Sequence, residues 1–269
     1  MKKFLAAVFV TAALLMTGCG LNDVQRIGTI RYENVTEKAF AEAQKKLAAS
    51  NHQNFDAEYI FFDNTNAMVT ALQSGQIDCM STYESVANYI STRNHIEVEE
   101  LEPAPVDAFC CAMREEDVAL KKEFDAAISK IAEDGTLAKL VKTYINDSTR
   151  SDTPKVVCMP EFYNSSMIKV GVTGDLPMLD YIRPDGKPAG FNTAVLAEIS
   201  KRIGKNFILV QVDSGARAVA LSSKKVDVIF WAVSPETDGI LPRDFDKPDG
   251  VILTVPYFSD KIVHVKLRK

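Results

Sequence analysis

The chain has 269 residues, 31 Lys and Arg against 36 Asp and Glu, and a formal charge of −5 with no basic run. An acidic balance of this kind argues against nucleic acid as a partner, and the length suffices for two modest lobes or one large domain. None of the five cysteines stands in a C-x-x-C pair, and His52, His95 and His264 lack ligand spacing, so no metal site and no cofactor are expected.

Lys2 and Lys3 precede an uncharged run from Phe4 to Met16 and then Thr17-Gly18-Cys19, the three regions of an export signal. That run holds 13 residues, fewer than the roughly 20 that cross a bilayer as a helix. A signal peptide over residues 1–18 is therefore expected, followed by a short tether, 19–26. A strand at Ile27–Arg31 comes next, then a helix at Glu37–Ala49 whose entry pairs Asn34 with Glu37 in a capping-box-like arrangement. The strand Tyr59–Phe62, the helix Ala67–Gln73 closed by Gly75, the strand Asp78–Met80 and a helix near Val86–Ser91 follow. Ile96–Leu101 and Asp107–Met113 read as further strands. Within the second of these, Cys110 and Cys111 point to opposite faces and read as buried, inert thiols.

After Asp117 a helix is expected to Glu133, with Leu120, Phe124, Ile128 and Ile131 on one face and Gly135 as its stop. Thr136 is expected to cap another, to Tyr144. Residues 146–165 have the polar and proline content of a linker. Beyond it lie the strand Ile168–Val172, a turn-rich stretch over 174–190, the helix Thr193–Arg202 stopped by Gly204, and the strand Ile208–Val212. The helix Ala216–Ser222, the strand Val226–Trp231 and an alternating half-buried strand at Ile262–Leu267 complete the chain.

The phrase AL-x-S-x-x-[Ile/Val]-Asp occurs twice, ending at Asp78 and at Asp227, 149 positions apart. With a strand and a helix before each copy, it implies two similarly built α/β halves and a cleft between them. Both aspartates, internal to a helix-to-strand corner, read as structural. Ligands of open α/β sheets sit at the carboxyl ends of strands, beside helix N-termini that offer free N–H groups. That rule selects Glu33, Asn34 and Thr36, then Tyr83 and Glu84, then Asp175, Leu179 and Tyr181, and finally Trp231, Ser234 and Thr237. No nucleophile–base pair stands out, so no catalytic residue is assigned.

KVGVTGDLPMLDYIRPDGKPAGFNTAVLAEISKRIG, followed by ALSSKKVDVIFWAVSPET and VPYFSD, resembles the opening lobe of the family 3 bacterial extracellular solute-binding proteins. ALQSGQIDCMSTYESVANYI, DAFCCAMREED and AAISKIAEDGTLAKLVKTYI are similar to the second lobe and closing helices of the same family. The resemblance implies an α/β, two-lobed periplasmic-binding-protein-like fold (type II) with its segments in permuted order. Residues 27–113 would form a second-lobe-like segment, 114–146 closing helices packed on the other lobe, 147–165 a linker joining the family's old ends, 166–260 a first-lobe-like segment, and 261–269 a hinge strand. One copy of every segment is present, so a monomeric circular permutant is expected in preference to two truncated copies that complete each other in a dimer.

Leu15-Met16-Thr17-Gly18-Cys19 also resembles the lipobox of bacterial lipoproteins, which implies a lipidated Cys19 and a chain held on the outer face of the cell membrane. The implied function is a receptor that hands a small polar metabolite, an amino acid or related compound, to an ABC permease, without enzymatic activity. The alternative is a sensing or interaction module of the same fold. Where the family carries T-P-E-R, whose arginine clamps a ligand carboxylate, this chain reads Ser234-Pro235-Glu236-Thr237. The family's ammonium-binding aspartate falls at Tyr83, with Glu84 the nearest acid, and its packing aromatic at Leu179. Arg217 and Arg243 remain as other sources of a guanidinium.

Overall fold

The computed structural model describes residues 24–52, 57–148 and 153–268; the expected signal peptide and Cys19 lie outside them. The first half runs β1 (Gln25–Ile30), α1 (Glu37–Ser50), β2 (Ala57–Phe62), α2 (Thr65–Gln73), β3 (Cys79–Tyr83), α3 (Glu84–Ile90) and β4 (Ile96–Glu99). β1 lies in parallel register between β2 and β3. β5 (Val106–Arg114) then leads to α4 (Val118–Glu133) and α5 (Thr136–Val141), which ends in a π-helical turn, Lys142–Asn146. The second half repeats the first. β6 (Met167–Val172) is followed by a small antiparallel meander of β7 (Asp175–Leu176), β8 (Asp180–Ile182) and β9 (Pro188–Ala189), formed where the sequence reads as turns. Then come α6 (Phe191–Ile203), β10 (Asn206–Gln211), α7 (Arg217–Ser222), β11 (Val228–Glu236), β12 (Val251–Leu253) and β13 (Phe258–Leu267).

The main sheet has the order β10-β6-β11-β5-β13-β3-β1-β2, with β12 on β5 and β4 on β13. Each lobe thus holds three parallel strands in the order second, first, third, completed by an antiparallel strand from the other half of the chain. β13 enters the first lobe against β3, and β5 enters the second against β11. The two crossing strands pair with each other between Phe258–Lys261 and Val106–Phe109. This is the two-lobed α/β, periplasmic-binding-protein-like (type II) architecture expected. β13 ends two strands from the start of β1 and at the same edge, about 10 Å away by strand spacing.

The duplicated phrase builds the same corner twice. Asp78 donates its N–H to the Arg26 carbonyl at 2.8 Å and accepts the Arg26 N–H at 2.8 Å. Asp227 does the same with Lys169, at 2.8 and 2.9 Å. The preceding Ile77 and Val226 are buried, and the central strands carry glycine in front of these corners. A Cβ at Gly28 would stand 2.5 Å from Ile77 Cδ1, and one at Gly171 2.9 Å from Ile229 Cδ1, so a side chain there would force these isoleucines to shift.

α4 buries Phe124, Ala127, Ile128 and Ile131, and Phe124 stacks on Phe207 with centroids 5.6 Å apart. Arg202 at the end of α6 reaches Asp134 at 2.7 Å, which fixes the closing helices to the second lobe. The segment 153–165 is docked there too. Val157 donates to the Pro188 carbonyl at 2.9 Å, and Phe162 exchanges two hydrogen bonds with the Asn206 side chain. Three local expectations are corrected. Thr36, not Asn34, caps α1, its Oγ1 accepting from Ala39 N–H, because Asn34 turns outward to the Lys247 carbonyl. Gly135, at φ +76°, precedes α5 where Thr136 is its first residue. Trp231 lies within β11, which runs on to Glu236.

The twin aspartates differ in what else they hold. Asp78 pairs with a half-exposed Arg26 at 2.7 Å, whereas Asp227 pairs at 3.2 Å with Arg114, whose guanidinium is buried and also donates to the Leu221 and Val226 carbonyls. Asp227→Ala is expected to cost about 1–3 kcal/mol in urea unfolding, and Asp78→Ala about 0–1 kcal/mol. Equal losses would show that the backbone corner alone carries the stability.

Candidate functional site

The carboxyl end of β1 continues as Arg31-Tyr32-Glu33 into the interface between the lobes, where it meets Arg217, the first residue of α7. Arg217 is 1 % exposed. Its Nε donates to the Ser214 carbonyl at 3.1 Å, Nη1 to the Trp231 carbonyl at 2.7 Å, and Nη2 across the interface to the Arg31 carbonyl at 3.1 Å. Glu33 Oε1 lies 3.3 Å from Nη1, an ion pair with both side chains buried and without hydrogen-bond geometry. The guanidinium also sits 4.6 Å from the Trp231 ring centroid.

Trp231 occupies the bulge where β11 slips register against β5, at φ +85°. That conformation is costly for a side chain of this size, and here it turns the Trp231 carbonyl to Arg217.

Carboxylates seated on backbone N–H groups also join the lobes. Asp246, in the loop between β11 and β12, accepts from Glu33 N–H at 2.9 Å, Asn34 N–H at 2.8 Å and Val35 N–H at 3.1 Å. These donors lie in the turn just before Thr36, the N-cap of α1. Asp175 accepts from the N–H of Thr65, first residue of α2, at 2.5 Å. Asp260 on β13 accepts from Ser85 N–H at 3.3 Å.

Between the lobes lies a cavity of about 30 Å³ bounded by Tyr32, Thr82, Tyr83, Asp107, Arg217 and Trp231, room for about two waters. A second of about 30 Å³ lies behind Tyr32 and Asp107 and is closed by Thr237, Phe245 and Asp246. Asp107, on the crossing strand β5, faces both. Tyr83 Oη donates to its Oδ2 at 3.1 Å. Burial pushes the Asp107 carboxyl up to about 7, with Asp246, Glu236 and Asp260 adding to the rise and the Tyr83 bond opposing it. Burial likewise carries Glu33 to about 7, against the pull of Arg217. A groove of about 490 Å³ opens beside β13, between Glu84, Tyr89, Met178 and Asp260.

Of the residues selected from sequence, Tyr83 and Trp231 line the first cavity, Thr237 the second and Glu84 the groove. Asn34 and Asp175 serve in the lobe contacts just described, and Thr36 caps α1. Tyr181 stands beside Tyr89 with ring centroids 6.4 Å apart. Ser234 is paired in register with Ala108 on the crossing strands. Leu179 is wholly buried in the core, so it lines none of these spaces; Thr237 spends its hydroxyl on Leu241. Asp107, Asp246, Tyr32 and Thr82 were not selected. Asp107 carries a signal, an acid opening an apolar strand; Asp246 carries none, lying in an acidic loop among other aspartates.

Among the described residues no group of three His, Cys, Asp or Glu is placed to hold a metal ion, and no helix is long and apolar enough to cross a membrane. Cys79, Cys110 and Cys111 are free and buried.

Residues 168–238 match the family described as bacterial extracellular solute-binding proteins, family 3. A protein of Campylobacter jejuni named "Probable histidine-binding protein" is 30 % identical over 101 residues, 38 % of this chain and 36 % of that protein, so the chain spans about a third of its length. Among solved structures, the ligand-binding component of an ABC-type import system from Staphylococcus aureus with zinc bound aligns with 91 % of this chain and 66 % of its own, at 14 % identity and TM-score 0.45. An ABC transporter periplasmic substrate-binding protein from Coxiella burnetii aligns with 91 % and 85 %, at 12 % identity and TM-score 0.41. The matched family and the Campylobacter relative are binding proteins, not enzymes. The likeness to the family 3 bacterial extracellular solute-binding proteins thus rests on residues 168–238 of the 269.

Proposed function

We propose that the chain is a receptor anchored by a lipidated Cys19 on the outer face of the cell membrane, closing its two lobes over a small polar metabolite and presenting it to an ABC permease. The observation that carries the reading is the cavity at Asp107, where both crossing strands, the end of β1 and the bulge of β11 converge between the lobes. Two antiparallel crossings allow hinge closure with dihedral changes confined to a few residues. The family match and the Campylobacter relative support a solute as ligand, an amino acid or a compound like one.

The segment order supports a circular permutation. Each lobe is complete within one chain, residues 153–165 are docked on the second lobe, and β1 starts and β13 ends two strands apart at one sheet edge; closeness of this kind makes such a rearrangement cheap. The monomeric reading follows from the same completeness.

A sensing or interaction module is the second reading. It is favoured by one observation, that Asp246 already occupies the three successive N–H groups leading into α1.

Three outcomes are expected. Thermal unfolding of the mature chain with Cys19 replaced should shift by roughly 5–10 °C with some small polar metabolite at a hundredfold its Kd, since that binding contributes about 2.7 kcal/mol; a folded sample that responds to amino acids, amines, organic acids and short peptides alike with no shift would leave the sensing or interaction module as the reading. In detergent phase partition of cells making the full chain, the protein should enter the detergent phase and Cys19→Ser should move it to the aqueous phase. A reordered chain that begins at residue 166 and joins residue 268 to residue 24 through a short linker should keep the same circular dichroism and monomeric mass. Failure to fold would count against the permutation.

A further inference from the structure

The charged and backbone groups that could receive a carboxylate in this cleft are already engaged, and the Trp231 indole N–H is a donor without a partner. Each nitrogen of Arg217 donates to a carbonyl, and Glu33 supplies its counter-charge. The N–H groups of Glu33, Asn34 and Val35 are closed by Asp246. What else remains free has the opposite character. Among the described residues, Tyr83 is the one donor to the Asp107 carboxylate, which leaves acceptor capacity facing both cavities. Thr82 Oγ1, in a residue 6 % exposed, borders the same cavity without a hydrogen-bond partner. The walls are aromatic: Tyr83 meets Phe109 edge-on at 4.8 Å and Trp231 edge-on at 5.8 Å between centroids, with Tyr32 opposite. Glu33 and Asp246 stand by the Arg217 guanidinium, and Asp107 lines the same cavity.

We propose that the cleft takes an organic ammonium ion that carries no carboxylate, its N–H groups on Asp107 and Thr82 and its carbon chain against Tyr32, Tyr83 and Trp231. This inference rests on the receptor reading above and narrows its ligand. Ammonium suits the site because carboxylate and hydroxyl oxygens accept its donors while aromatic faces attract its charge. An added carboxylate would stand among Asp107, Asp246 and Glu33, with the Trp231 indole N–H and the Thr82 hydroxyl as unpartnered donors, so like-charge repulsion at a buried place disfavours it. The closed cavity holds about two waters, so an organic amine binds with the lobes parted more widely than they stand here.

Titration gives an independent signature. Asp107 faces Tyr83 from β3, Tyr32 beyond β1, Glu236 from β11, Asp260 from β13, Asp246 from its loop and Arg217 from α7. Burial holds its carboxyl near 7 without ligand, and an ammonium pairs only with the ionised form. Affinity should therefore fall about tenfold per pH unit below 7 and level off above it.

The test is calorimetric titration of the mature chain, Cys19 replaced, with matched pairs at pH 8: histamine and histidine, agmatine and arginine, cadaverine and lysine. The amine of at least one pair should bind at least tenfold tighter than its amino acid, and a folded Asp107→Asn variant should lose at least tenfold for that amine. Should this variant not fold, the pH profile of the unaltered protein decides in its place. Tighter binding of the amino acid in every pair overturns the inference and leaves the receptor reading standing. So does amine binding that Asp107→Asn, or pH between 5.5 and 7, does not alter. Binding of neither member of any pair overturns this inference, and the screen across the other ligand classes then decides the receptor reading separately.

Discussion

Everything between the lobes depends on the antiparallel pairing of the two crossing strands, β5 and β13, over Val106–Phe109 and Phe258–Lys261. Each strand completes the sheet of the lobe opposite to the one whose strands precede it, so neither lobe is finished without the other half of the chain. The pairing also carries Asp107 and Asp260 into register with each other. Two acids face one another at the crossing, and each is drawn away from ordinary carboxylate behaviour by burial, to about 7 and about 6. A hydrophobic pair would have served packing better. An acid kept at such a place is costly unless something pairs with it, which is why the crossing draws attention to function rather than to stability.

The same economy appears across the interface. Arg217 is among the largest fully buried side chains, and its charge is tolerated because three carbonyls and Glu33 surround it. One of those carbonyls is available only through the left-handed backbone at Trp231. Local strain on β11 and a buried guanidinium on α7 therefore explain each other. Asp246, Asp175 and Asp260 act similarly on the first lobe, each satisfying N–H groups at or just before a helix N-terminus that would otherwise be left without an acceptor.

Where the sequence was legible, the reason is local. The apolar periodicity of α4 and α6, the stops at Gly75, Gly135 and Gly204, and the duplicated corner at Asp78 and Asp227 report interactions between residues close in the chain or burial that any partner could supply. Their positions follow within a few residues. Readings that needed a choice between neighbouring polar groups missed: Asn34 and Thr36 are equally plausible caps by type, and the donor geometry at Ala39 selects Thr36. The meander of β7, β8 and β9 escaped because strands of two or three residues have too few positions to show alternation.

The amino-acid sequence by itself determined the alternation of strands and helices and the doubled α/β unit, since each depends on composition or spacing within a short window. Only the tertiary structure decided the contents of the cleft. Asp246 reaches Glu33 across 213 positions and Arg217 reaches the Arg31 carbonyl across 186. Side-chain patterns record that a residue is buried or polar; they carry no record of which distant group meets it. Selecting residues by strand ends found Tyr83 and Trp231, yet the carboxylate between them came from a crossing strand whose place is set by the sheet order alone.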